Sequence, residues 1–114
     1  MSDAAELPIE TDVAGVAALR ENGQEFLLLD VREEHEYAIA RIDGSMLLPM
    51  SRLRDRVGDL EEHRDRLIVV HCHHGGRSMQ VTQVLRNNGF EKVQNMAGGI
   101  DQWSEQIDPS VPRY

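Results

Sequence analysis

Leu67-Ile68-Val69-Val70-His71-Cys72-His73-His74-Gly75-Gly76-Arg77-Ser78 carries an apolar run into the chain's single cysteine and then through two glycines to an arginine. A short continuous apolar run that ends at a turn reads as a strand buried on both faces, the habit of parallel sheets. Ser78 to Asn88 follows as a helix with Val81, Val84 and Leu85 inward, closed by Gly89. Cys72 therefore falls where a strand ends and a helix begins. Backbone amides and the positive end of the helix dipole favour an anion at such a junction. A thiol placed there gives up its proton more readily than a free cysteine. Gly75 and Gly76 permit positive φ, so successive N–H groups can turn toward one point. Ser78 is placed either to cap the helix or to hydrogen-bond the thiolate. Arg77 is placed either to pair with an anion or to fix the loop.

Outward from this stretch, strands and helices alternate. Pro8-Ile9-Glu10 reads as a short edge strand, with Thr11 or Asp12 capping a helix whose Val13, Val16, Ala17 and Leu19 share a face. Asn22-Gly23 ends that helix. Phe26 to Val31 is a second buried strand, Glu33 to Ala40 a short helix, and Met46-Leu47-Leu48 a brief strand before Pro49. Ser51 is expected to cap a helix carrying Leu53, Val57 and Leu60. After the cysteine helix, Phe90 to Met96 gives a last strand, and Gly98-Gly99 introduces a helix bearing Trp103. The alternation predicts an α/β fold, a mainly parallel central sheet flanked by helices on both faces. Reactive groups in such sheets gather at the carboxyl ends of strands, which is where Cys72 stands.

The chain of 114 residues, 40% of them hydrophobic, suits one domain spanning 1–114 with a real core, residues 1–7 being a loose N-terminal segment. A formal charge of −8 argues against sequence-independent nucleic-acid binding and against docking on anionic lipid. No stretch has the length and apolarity of a membrane span or the layout of a signal peptide. One cysteine allows no internal disulfide, which fits a reducing, cytoplasmic setting. No second cysteine of this chain can resolve an adduct on Cys72.

Four residues lie between Cys72 and Arg77. Cysteine phosphatases resemble this arrangement but carry a longer loop that surrounds a tetrahedral phosphoryl group. The tighter ring leaves room for one extra sulfur atom on the cysteine. His71, His73 and His74 beside Cys72 raise the question of a metal. Adjacent residues rarely aim at one ion, and the sequence displays no second cluster of ligands, so neither metal nor organic cofactor is expected. Asp30 and Arg32 read as an internal ion pair, Trp103 as core, and the run Glu61 to Arg66 as a solvated face.

The loop HCHHGGRS, the upstream LLLDVRE (Leu27 to Glu33) and the downstream NMAGGIDQW (Asn95 to Trp103) together resemble a single-domain rhodanese-type sulfurtransferase. The resemblance runs from about Ile9 to the C-terminus. It implies a thiosulfate sulfurtransferase chemistry, with sulfane sulfur moving from a small donor through a persulfide on Cys72 to cyanide, a small thiol or a protein thiol. It implies Cys72 as the nucleophile, with His73, His74, Gly75, Gly76 and Arg77 as the substrate-binding loop. Asp30 and Arg32 match a segment that supports the loop from below. One departure is Ala40-Arg41-Ile42-Asp43-Gly44-Ser45, which replaces the family's frequent Gly-His-Ile-Pro-Gly-Ala. The ending Asp108 to Tyr114 is similar to tails of rhodanese domains fused to enzymes that activate ubiquitin-like sulfur carriers, which points to a sulfur-accepting protein as partner.

Overall fold

A computed structural model of the chain describes residues 7–114; most of the segment expected to be loose lies outside the described residues. In chain order the elements are β1 (Glu10–Asp12), α1 (Val13–Glu21), β2 (Leu27–Asp30), α2 (Glu34–Ile39), β3 (Met46–Leu47), α3 (Leu53–Arg56), β4 (Ile68–His71), α4 (Gly76–Asn87), β5 (Val93–Ala97) and α5 (Gly99–Gln106). The strands form one five-stranded sheet in the order β1-β5-β4-β2-β3. Every pairing in it is parallel, as the alternation of elements requires. β4 is central, in register with β2 through Leu29↔Val70 and Asp30↔His71, and with β5 through Ile68↔Val93 and Val70↔Asn95.

Burial on both sides of the sheet explains the unbroken apolar runs. Ile68, Val70 and Cys72 join Leu29, Val31, Leu48, Leu60, Phe90 and the α4 residues Val81 and Leu85 in one core cluster. Val69 and Leu28 face the other way, into a cluster with Val13 and Val16 of α1, Ile100 and Trp103 of α5, and Val111 of the tail. Strand parity thus aims Cys72 at the face that α4 covers. Asp30 and His71 share the parity of Leu28 and Val69 and lie toward the opposite face. Trp103 is core, as expected.

Three expectations need correction. β1 begins two residues after Pro8, although the cap of α1 is one of the two residues expected, Asp12, whose carboxylate accepts from Gly15 N at 2.8 Å. Ser51 does not cap a regular helix. It sits in a 3-10 turn, Met50–Arg52, followed by the single turn of α3 and a further 3-10 stretch, Val57–His63. Leu48 N and Met50 N bond Asp30 O and Val31 O at 2.8 and 2.9 Å, which holds the backbone extended beyond β3. The Ser51 hydroxyl instead donates to Glu33 Oε1 at 2.7 Å. Finally, α4 starts at Gly76, so Ser78 lies inside its first turn, and Val84 is exposed while Thr82 takes the inward place.

Candidate active site

β4 ends at His71, and the chain must reverse at once to bring α4 back across the sheet. Gly75 makes this possible with φ +124°, a value that residues with a Cβ rarely adopt. The reversal wraps the loop around the Cys72 sulfur. Sγ accepts from Gly75 N at 3.1 Å and from Ser78 N at 3.3 Å, and Ser78 Oγ lies at 3.3 Å. The residue is only 2% exposed. Burial by itself pushes the thiol pKa up, and the donors of Ser78, Gly75 and His74 together outweigh it, so the net direction is down. The donors that the loop and the first turn of α4 aim at Sγ therefore stabilise the thiolate relative to that of a free cysteine.

Ser78 has one hydroxyl proton and several acceptors. Besides Sγ, its Oγ meets Gly75 O at 3.2 Å and Asn95 Oδ1 at 2.5 Å. Asn95 comes from β5 and is oriented by Nδ2, which donates to Glu10 Oε2 at 3.1 Å and Gly75 O at 3.3 Å. The N–H groups are therefore the obligatory donors to sulfur, and the hydroxyl is an adjustable one.

The outer side of the loop is held by α5. Ile100 N and Asp101 N donate to Cys72 O at 2.9 Å and to His73 O at 3.1 Å. Gly99, at φ +59°, passes so close that a Cβ there would lie 2.5 Å from Cys72 O, so only glycine fits. Gly98, just before α5, has a different reason: at φ +86° it adopts a conformation that side chains rarely take, and a Cβ there would run into Gln102 of α5.

Arg77 does not turn to the sulfur. Its two terminal nitrogens grip Glu36 of α2 at 2.6 and 2.9 Å, a bidentate pair. This pair depresses Glu36 to about 2 and raises Arg77 further. Because Glu36 is lowered, its stabilising contribution is complete above the ordinary carboxylate pKa and fades as pH falls toward about 2. Arg77 is engaged here as a fastening between the first turn of α4 and α2. Replacing it with Ala should raise the pH midpoint for iodoacetamide alkylation of Cys72, which the loop donors lower from the ordinary thiol value. Arg77→Lys should behave like the Ala variant, since an ammonium cannot reproduce the fork. Full restoration by Lys would instead make charge the operative property.

Asp30 and Arg32 form a completely buried ion pair at 2.7 Å. Burial opposes the charge of Arg32, but Asp30 and Tyr114 outweigh it, and its pKa is raised. The guanidinium also reaches Ala40 O at 2.6 Å and Glu36 O at 3.3 Å, so its support goes to α2 and the tail rather than straight to the cysteine loop. His71, wholly buried, is kept neutral by desolvation despite Asp30 Oδ2 at 3.8 Å. That contact is accordingly not an ion pair.

Sequence reasoning missed Glu36, Asn95 and Tyr114. The Tyr114 hydroxyl accepts from Arg32 at 2.8 Å and donates to Glu36 Oε2 at 2.9 Å, which joins the two ion pairs. Its ring stacks on His73 at 4.0 Å, and His73 lies 3.9 Å from the His74 ring. Tyr114→Phe keeps the stack and removes the bridge. It should cost about 1.5–3 kcal/mol, the range for hydrogen bonds to charged groups, read by urea unfolding. A change inside the error of that measurement would show the bridge to be dispensable.

Comparison with known proteins agrees with this geometry. A family model described as a rhodanese-like domain matches residues 13–106. The adenylyltransferase and sulfurtransferase MOCS3-2 of Zea mays is 35% identical over 101 residues, covering 84% of this chain and 21% of its own length. The chloroplastic rhodanese-like/PpiC domain-containing protein 12 of Arabidopsis thaliana is 38% identical over 91 residues, covering 76% of this chain and 30% of its own. This chain thus spans less than a third of either relative. The crystal structure of a rhodanese-related protein from Thermoplasma volcanium superposes with a TM-score of 0.77 at 33% identity, covering 94% of this chain and all of that one. With the sheet order, the cysteine loop and these matches in agreement, the chain belongs to the rhodanese-like domain family.

Proposed function

We propose that the chain is a sulfurtransferase that carries sulfane sulfur as a persulfide on Cys72. The observation that carries this reading is the convergence of Gly75 N, Ser78 N and Ser78 Oγ on Sγ inside a four-residue loop. Donors aimed at one sulfur stabilise negative charge on it before and after each transfer, the logic of an oxyanion hole applied to sulfur. With thiosulfate as donor, the Cys72 thiolate attacks the outer sulfur. The S–S bond of the donor breaks, and sulfite leaves with the bonding pair. A nucleophilic acceptor, such as cyanide, a small thiol or a protein thiol, then attacks the outer sulfur and releases Cys72 as thiolate. No net oxidant is needed, and two half-reactions through a covalent enzyme give ping-pong kinetics. Similarity to the adenylyltransferase and sulfurtransferase of Zea mays supports this reading. A single thiol that must stay reduced between turnovers suits a reducing compartment such as the cytoplasm.

His73, His74, Gly75 and Gly76 are assigned to the substrate-facing loop, with Arg77 shaping it through Glu36. The fastening of Arg77 also weighs against phosphate-ester hydrolysis, which needs an arginine free to grip the phosphoryl oxygens. The test is intact-protein mass spectrometry after thiosulfate treatment. The protein should gain the mass of one sulfur atom at Cys72 and lose it on addition of cyanide. Absence of the adduct, or a preference for an aryl phosphate over thiosulfate at matched concentration, would refute the proposal.

A further inference from the structure

The sequence places His73 and His74 side by side with no ligand opposite them; the fold supplies one. Asp101, in the first turn of α5, is drawn to the cysteine loop by its own backbone, since Asp101 N donates to His73 O at 3.1 Å. One ring nitrogen from each histidine and a carboxylate oxygen of Asp101 lie within 4.8 Å of one another. His74 Nε2 and Asp101 Oδ2 are already 4.0 Å apart. His73 Nε2 is shielded from solvent with no hydrogen-bond partner, as are His63 Nδ1 and both ring nitrogens of His71, but of these histidines only His73 has a second histidine and a carboxylate gathered beside it. The geometry points to a divalent transition-metal site at the outer face of the cysteine loop, ligated by His73, His74 and Asp101.

Two imidazoles and a carboxylate are the donors that borderline ions such as zinc select, and three protein ligands leave a position for water. Two ligand atoms on one zinc sit roughly 3.4 Å apart, given Zn–N and Zn–O lengths of about 2.0–2.2 Å. The present spacing has to close by roughly 1.4 Å at most, and the His74 ring has to turn off its neighbour His73, because an imidazole ligates in its own plane. His74 can supply this movement, because its side chain is 69% exposed. The backbone bond between the two segments holds the remaining ligands near each other before the ion arrives. A competitor is already in place. Arg113 donates to both Asp101 oxygens, at 3.0 and 3.3 Å, from a side chain that is 54% exposed. Arg113 therefore competes with a metal for this carboxylate, by its charge and by the lone pairs it occupies, and this gives the site a signature that a chance surface histidine lacks.

The titration uses zinc against a chromophoric chelator, in the Cys72→Ser background so that no thiolate takes up the metal. That background also makes the result independent of sulfur transfer. One equivalent of zinc should bind. Asp101→Asn and His74→Ala should each weaken binding by at least about tenfold. Arg113→Ala should tighten it, because the carboxylate is freed. His74 and Arg113 are exposed and Asp101 is partly buried, and unfolding curves without metal verify that each variant is folded. Failure to bind zinc at micromolar concentration overturns the site. So does binding that survives Asp101→Asn and His74→Ala, or an Arg113→Ala variant that loses affinity as the Asp101 variant does.

Discussion

Cys72→Ser should yield a folded protein that forms no thiocyanate from thiosulfate and cyanide above the uncatalysed rate. The fold should survive because the hydroxyl is close in size to the thiol and faces the same donors, Gly75 N, Ser78 N and Ser78 Oγ. Those donors stand at 3.1–3.3 Å, suited to sulfur and slightly long for oxygen, so a small change in stability is expected at most. Turnover should vanish because a hydroxyl is not ionised near neutral pH and cannot hold a transferable sulfur. No other thiol in the chain can take its place. Circular dichroism and a colorimetric thiocyanate assay read the two halves of this expectation. Substantial thiocyanate formation by the variant would remove Cys72 from the reaction and with it the persulfide cycle.

Asp30→Ala should cost about 3–5 kcal/mol, the price of leaving one member of a buried ion pair uncompensated. Arg32 and Asp30 are both fully buried, and three contacts of 2.7–3.2 Å run from the guanidinium to the carboxylate. Without Asp30 the guanidinium keeps the carbonyls of Glu36 and Ala40 and the Tyr114 hydroxyl, none of them charged. For a domain whose total stability is of the order of 5–15 kcal/mol, this loss is a large fraction. Urea unfolding measures it. Replacing both members by apolar residues, Asp30→Leu with Arg32→Met, should cost less than Asp30→Ala alone, because no charge is stranded. If the double variant is the less stable, the pair contributes net stability and the desolvation argument is wrong.

The parts of this structure governed by short-range patterns could be read from the chain. Ile68, Val69 and Val70 announce a strand covered on both faces, and the parity of 68, 70 and 72 fixes the side on which Cys72 emerges. The glycines after Cys72 mark the reversal, and Asp12 marks a cap. What escaped depends on partners far off in sequence. Val84 looked like a core residue from its spacing to Val81 and Leu85. The rotation of α4 is set instead by Ser78 reaching Cys72 and Asn95, and the buried stripe is Ser78, Val81, Thr82 and Leu85. At 100° per residue, Val84 then stands roughly 110° from the middle of that stripe. Ser51 had the sequence of a cap, but the 3-10 turn that follows Pro49 takes it up and the Glu33 carboxylate binds its hydroxyl. Glu36 is one acid among 20 Asp and Glu, and nothing local distinguishes it from its neighbours. Tyr114 follows a tail without periodicity, and its partner Glu36 lies 78 residues away. Asp101 belongs to the same class: only the docking of α5 on the loop brings it to His73 and His74.

That docking has a mechanical corollary. The carbonyls of Cys72 and His73 are engaged by the first amides of α5, while the amides of Gly75 and Ser78 face the sulfur. The turn thus offers oxygens to α5 at Cys72 and His73 and hydrogens to the sulfur at Gly75 and Ser78. The cysteine loop is therefore strung between two hydrophobic half-cores. α4 anchors one end through Val81 and Leu85, and α5 anchors the other through Ile100 and Trp103 on the far side of the sheet. A cavity opened under Trp103 would tilt α5, slacken the carbonyl side of the turn and let the amide side drift from Sγ. The acidity of the thiol is in this sense a strain gauge for packing on the opposite face, and a variant selected only for thermal stability at that face will carry its signature in the reactivity of Cys72.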